Sequence, residues 1–177
     1  SLKKPISLDL SDCGLSVKGV TEIAKATSAG AASVEVIKLD GNAIGCPSKV
    51  TLKPGAATGV EVKVGVLAAV AGRFGQVVKV FGSGAIQVQW IDDASMSSTT
   101  TADSIKPHQV DQVVASRTDL IEEHTHIQAL GEAISGSQLK HISLAQCQFN
   151  SATLAAFVQS VRWDTAVVAE VNISMNP

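Results

Sequence analysis

One short frame occurs four times in this chain, and in two pairs each copy lies 29 residues after its partner. The frame alternates apolar residues and ends on a Cys or Asn: apolar-x-apolar-x-x-(Cys/Asn)-x-apolar. It reads Leu8-Asp-Leu10-Ser-Asp-Cys13-Gly-Leu15, Ile37-Lys-Leu39-Asp-Gly-Asn42-Ala-Ile44, Ile142-Ser-Leu144-Ala-Gln-Cys147-Gln-Phe149 and Val171-Asn-Ile173-Ser-Met-Asn176-Pro177. Alternation points the paired apolar side chains to one side of a short strand. The Cys or Asn then satisfies backbone groups where the chain turns, Asn with its amide and Cys with a small buried thiol. After the turn, Val20, Ile23, Ala24 and Ala26-Thr27 recur at helical spacing, as do Leu154, Phe157, Val158 and Val161 in the later pair. Each repeat is therefore expected to run strand, turn, helix, and stacked units of this kind present exposed faces to other macromolecules.

The alternating Cys13, Asn42, Cys147, Asn176 ladder, with Gly19, Ile23 and Ala24 behind its first member, resembles the ribonuclease-inhibitor class of leucine-rich repeats. That class includes the ribonuclease inhibitors, Ran GTPase-activating proteins and receptor-type immune sensors. The resemblance covers residues 1–45 and about 122–177. It implies an α/β solenoid of parallel strands with helices on the convex side. It is nearly silent on function, because partners differ within the class.

The second and third frames are too far apart for one period. Asn42 and Cys147 are separated by 105 residues where 29 would be one step, so about 76 are extra. The break follows Ile44-Gly45, and helical spacing returns with Ile127, Leu130 and Ile134. Residues 46–121 are thus read as an insertion. Within it the period changes to 2: Gly59 to Val66, Gln76 to Phe81 and Ala85 to Ile91 alternate apolar and polar residues and are rich in Val and Ile, as half-buried strands require. Gly72-Arg-Phe-Gly75, Gly82-Ser-Gly84 and Asp92-Asp-Ala-Ser95 punctuate them. The run from Gly72, then Val88 to Asp93 and Ala102-Asp-Ser-Ile-Lys, resembles SH3-like barrels of the Tudor, KOW and mind-bomb kind over about 60–107. The fold expected is a leucine-rich-repeat solenoid interrupted by a small closed antiparallel β-barrel.

Composition narrows the function classes. With 45% hydrophobic and 17% charged residues, the chain can bury one sizeable core or two modest ones. No apolar stretch approaches the roughly 18 residues that span a bilayer, and no secretory signal opens the sequence. Cys13 and Cys147, at ladder positions, are expected to be buried thiols, with Cys46 the reachable one. This reading places the protein in a reducing, cytoplasmic compartment. A formal charge of −2 provides no basic field. Seven basic minus six acidic side chains leave the insertion at +1, so nucleic-acid binding through the barrel is disfavoured.

Candidate chemistry is sparse. Reading methylated side chains needs several aromatic faces for cation–π attraction, and the insertion offers only Phe74, Phe81 and Trp90, the last in an alternating pattern that suggests core packing. His124-Thr-His126 beside Glu122-Glu123 could suggest a metal site. Four residues at a helix start do not converge on one ion, and the expected reading is a solvated first turn with its acids near the positive end of the dipole. Asp92-Asp93 is read as a turn, and Ser95 to Thr101 as a flexible loop. Asn172-Ile-Ser174 matches a glycosylation sequon, discounted on a repeat strand. No catalytic residue, cofactor site or metal ligand set is expected.

The expected binding surface is the strand face opposite the buried residues. It comprises Ser7, Asp9 and Ser11; Val36, Lys38 and Asp40; His141, Ser143 and Ala145; Glu170, Asn172 and Ser174. Asp9, Lys38, Asp40, His141, Ser143 and Asn172 are its leading candidates, together with Arg73 in the exposed Gly72–Gly75 turn. The expectation is a non-catalytic protein-interaction scaffold, part of a longer repeat protein, whose partner is a protein of unknown identity and which self-associates through an uncapped repeat end. The alternatives are a regulator of a small GTPase and a nucleic-acid-associated or modified-peptide-binding barrel.

Overall fold

Each of the four frames meets a strand of one parallel sheet. A computed structural model of the chain describes residues 6–29, 34–97 and 104–177. The first elements are β1 (Ile6–Asp9), α1 (Val17–Ser28) and β2 (Val34–Lys38). There follow β3 (Lys49–Leu52), β4 (Leu67–Val70), β5 (Arg73–Val80), β6 (Ile86–Trp90), β7 (Gln112–Val114) and β8 (Leu120–Glu123). The chain closes with α2 (Thr125–Ser135), β9 (His141–Ser143), α3 (Ser151–Ser160) and β10 (Glu170–Asn172). It divides into two units, residues 1–48 with 124–177, and residues 49–123. Among the described residues no helix is long and apolar enough to cross a membrane.

In the first unit the sheet order is β1-β2-β9-β10, all parallel. Ile37 pairs with Ile142, and Leu39 and Leu144 follow them onto the same face. With Val20, Ile127, Leu130, Ile134, Phe149 and Phe157 they form one continuous core. Asn42, 1% exposed, ties neighbouring turns together. Its Oδ1 accepts from Leu15 N at 2.8 Å, and its Nδ2 donates to Leu10 O at 2.9 Å and Leu39 O at 2.7 Å. Asn176 repeats the arrangement one pair later, accepting from Phe149 N at 3.0 Å and donating to Leu144 O at 2.8 Å and Ile173 O at 2.9 Å. Asn150 caps α3 by accepting from Thr153 N.

The expected solenoid is not formed. Among the described residues the parallel sheet has only four strands, with β1 and β10 at its edges. Its apolar face is therefore graded: Ile37 and Ile142 are each 2% exposed, whereas Leu8 is 38% exposed because no strand among the described residues lies beyond it.

Among the described residues no barrel closes in the second unit either. Its larger sheet has the order β6-β5-β4-β7, with β6 and β7 at opposite edges, and β3 and β8 pair separately as an antiparallel ribbon. A closed barrel has one filled interior, but this sheet is apolar on both faces. Ala68, Val77, Val88 and Val113 belong to one cluster, while Leu67, Ala69, Phe74 and Val114 belong to another that Val50, Leu52 and Leu120 of the ribbon complete. The alternating stretch 59–66 forms no strand. Gly59 and Gly65 bracket it at φ of 81° and 96°, and the bridge from Thr58 to Val114 stands alone before it. Between β4 and β5, Ala71 and Gly72 both take positive φ, 51° and 79°, which is the signature of a tight two-residue hairpin turn.

Candidate functional site

The polar face of the parallel sheet is built by register. Asp9, Lys38, Ser143 and Asn172 stand opposite one another across the four strands, and Ser7, Val36, His141 and Glu170 form the neighbouring row. Parallel pairing of frames in the same phase puts like positions side by side, so six of the seven sequence candidates fall on or beside this face. Arg73 does not: it belongs to the other unit.

Within the rows the side chains orient one another. Lys38 Nζ lies 3.8 Å from Asp9 Oδ2. Asn172 Nδ2 donates to Ser143 Oγ at 3.0 Å, and His141 Nδ1 lies 3.2 Å from Glu170 Oε2. Asp9 also accepts from the Ser11 hydroxyl at 2.6 Å and the Ser11 amide at 3.1 Å, which hold its carboxyl below the usual range. Asp40 serves the scaffold, since its Oδ1 accepts from Ala145 N at 2.9 Å. These contacts are largely solvent-exposed, so screening by water leaves them little weight in folding. Their larger effect is to hold donors and acceptors in fixed positions. Glu170, named in the stripe but not among the leading candidates, partners His141; the 29-residue spacing between them was the available signal.

Arg73 is engaged on three sides. Its Nε donates to Asp92 Oδ2 at 2.8 Å and its Nη2 to Asp92 Oδ1 at 2.7 Å and Asp93 Oδ2 at 2.9 Å. The guanidinium sits 4.4 Å above the Trp90 ring. The carboxylates, Asp92 first, push the Arg73 group above its ordinary value. Burial pushes the Asp93 carboxyl up, but hydrogen bonds from Ser95 and the nearby Arg73 charge leave it lowered. Trp90 is half-buried, packs against one core cluster and offers its outer face to Arg73. A ring covered in this way is not an open wall for a methylated side chain. Of the Ser95 to Thr101 loop, residues 98–101 lie outside the described residues, as do Ala102 and Asp103.

Three sequence expectations are corrected here. Cys13 is exposed and Cys46 buried, the reverse of their expected order, whereas Cys147 is buried. Cys13 follows β1, beyond which no strand lies among the described residues, while Cys46 sits in the buried run Ile44-Gly-Cys-Pro47. His124 and His126 are not a solvated first turn, being 5% and 2% exposed. Single-sequence spacing does not distinguish such buried histidines from surface ones. Among the described residues no group of three or more His, Cys, Asp or Glu is placed to hold a metal ion.

The thiols make a direct check. Cys147 Sγ donates to Leu39 O at 3.1 Å, and burial pushes its thiol up to about 11, far from the thiolate form that reacts. A maleimide added to the folded protein should modify Cys13 within minutes, with Cys46 and Cys147 reacting only after denaturation, as read by mass spectrometry of the peptides. Native labelling of Cys147 ahead of Cys13 would contradict the sheet order.

No family model, curated protein or solved structure matches the chain.

Proposed function

We propose that this chain is a non-catalytic protein-interaction module whose partner docks on the polar face of the parallel sheet. The observation that carries the reading is the pair of ordered rows across β1, β2, β9 and β10. Asp9, Lys38, Ser143, Asn172, His141 and Glu170 present both charges and neutral donors from short strands, held by cross-strand contacts. A rigid surface of mixed charge suits a folded protein partner, because little side-chain ordering remains to be done on binding. The likeness of the repeated frame to leucine-rich repeats supports the same reading as an analogy of sequence pattern.

A site-specific photocross-linker tests it. Ser143→p-benzoylphenylalanine should capture a discrete, saturable protein from lysate, and Lys38→Glu in that background should reduce the capture at least tenfold while circular dichroism stays unchanged. The same cross-linker at exposed Gln128 on α2 is the control. Capture from Gln128 with none from Ser143, or capture from Ser143 that Lys38→Glu leaves intact, would refute the docking face.

A further inference from the structure

The chain leaves the parallel-sheet unit at Ser48 and returns to it at His124. Two segments meet at this crossing, and polar contacts join them. His126 Nε2 lies 2.7 Å from Ile44 O, and Ser48 Oγ lies 3.1 Å from Thr125 Oγ1. Thr153 Oγ1, from α3, donates to Gly45 O at 2.8 Å and lies 3.5 Å from His124 Nδ1. Ile44, Gly45, Cys46 and Pro47 are all buried.

A carbonyl only accepts, so His126 carries its proton on Nε2 and leaves Nδ1 as a lone pair. That atom is buried and, among the described residues, has no hydrogen-bond partner. A second proton would place an N–H without an acceptor, and a positive charge, inside the core. The surroundings offer no compensation. α3 carries no charged side chain, and α2 carries only Glu132, which is exposed. Segment 42–48 contributes just the Cys46 thiol. On α1, Lys18 is exposed and Glu22 and Lys25 pair with each other in solvent. Asp40 is bonded to Ala145 N, while Glu122 and Glu123, just ahead of the crossing, hold Arg117 and Lys49. The nearest ionisable neighbour is His124, its ring centroid 6.5 Å away, which adds repulsion when charged.

We propose that His124 and His126 form an acid-released latch on this crossing. Neutral His126 clamps Ile44 to the start of α2. Protonated, it lets segments 44–48 and 124–126 part while the parallel sheet stays formed. Burial lowers the affinity of His126 for a proton, the Ile44 hydrogen bond opposes this, and His124 lowers it further. The open state therefore binds the proton more readily. The clamp is at full strength above the ordinary histidine value of about 6.5 and weakens as pH falls below it.

Amide hydrogen exchange on the intact chain between pH 7.5 and 5 tests the latch. The reporters are Gly45, bonded to Cys147 O, and Ile127, bonded to His124 O; Leu39, bonded to Ser143 O, reports on the sheet. Protection factors at Gly45 and Ile127 should fall, approaching tenfold per pH unit below about pH 6 for one linked proton, while Leu39 stays within twofold. His126→Gln, whose amide can donate to the same carbonyl without titrating, should flatten the dependence. pH-independent protection at Gly45 and Ile127, an equal fall at Leu39, or an unchanged slope in His126→Gln would overturn the proposal. Should that variant fail to fold, the ring-proton titration of the native protein decides. His126 must titrate below the ordinary histidine value of about 6.5, and titration at or above that value refutes the latch.

Discussion

Asn42→Ala should destabilise the parallel-sheet unit by about 3–5 kcal/mol, read as a fall in the urea midpoint at constant slope. The side chain is buried and makes hydrogen bonds to Leu15 N, Leu10 O and Leu39 O at 2.7–2.9 Å. Alanine removes all of them and leaves backbone groups of two successive turns without their partner, each costing about 1–3 kcal/mol where water does not replace it. Asn176 makes the matching set of bonds at the edge strand, where it is only half-buried. Asn176→Ala should therefore cost only about 1 kcal/mol. Equal losses at the two positions would show that burial does not set the value of this network.

Phe157→Ala carries the second large expectation, about 3–5 kcal/mol. Its ring is 1% exposed and meets Phe149 and Trp163 edge-on, with centroids 6.2 and 6.4 Å away. Truncation opens a cavity between α3 and the sheet that these two rings cannot jointly fill. Val158, the next residue along, is 46% exposed and serves as the control, since Val158→Ala should change stability by less than about 0.5 kcal/mol. A loss below about 1.5 kcal/mol at Phe157 would mean that α3 repacks freely.

These two residues show what the sequence could and could not disclose. Asn42 and Phe157 both stand out in the repeated pattern, because a period of 2 and a period of 3.6 are local properties that survive in one dimension. The phase of the frames also puts Asp9, Lys38, Ser143 and Asn172 into one row. How many strands join a sheet, and whether a sheet closes, are decided by pairing between distant segments. The alternation in 59–66 looked like a strand yet found no ladder, and Leu120–Glu123 pairs with Lys49–Leu52 as a ribbon although it carries no alternation of its own. Cys13 and Cys46 exchanged their expected exposures for the same reason. Position in a frame gives orientation, and only the neighbours give burial.

The ribbon of β3 and β8 bears on the order of events during folding. Lys49 and Glu123, the two ends of the second unit, are direct register partners. Before that unit folds, the crossing at Ile44 and His126 must close a loop of about 80 residues; once Lys49 and Glu123 have paired, the same closure spans about eight. The entropic difference is about 2 kcal/mol, large enough to bias the sequence of steps. Residues 49–123, although later in the chain than β1, α1 and β2, should acquire exchange protection first, before β2 pairs with β9.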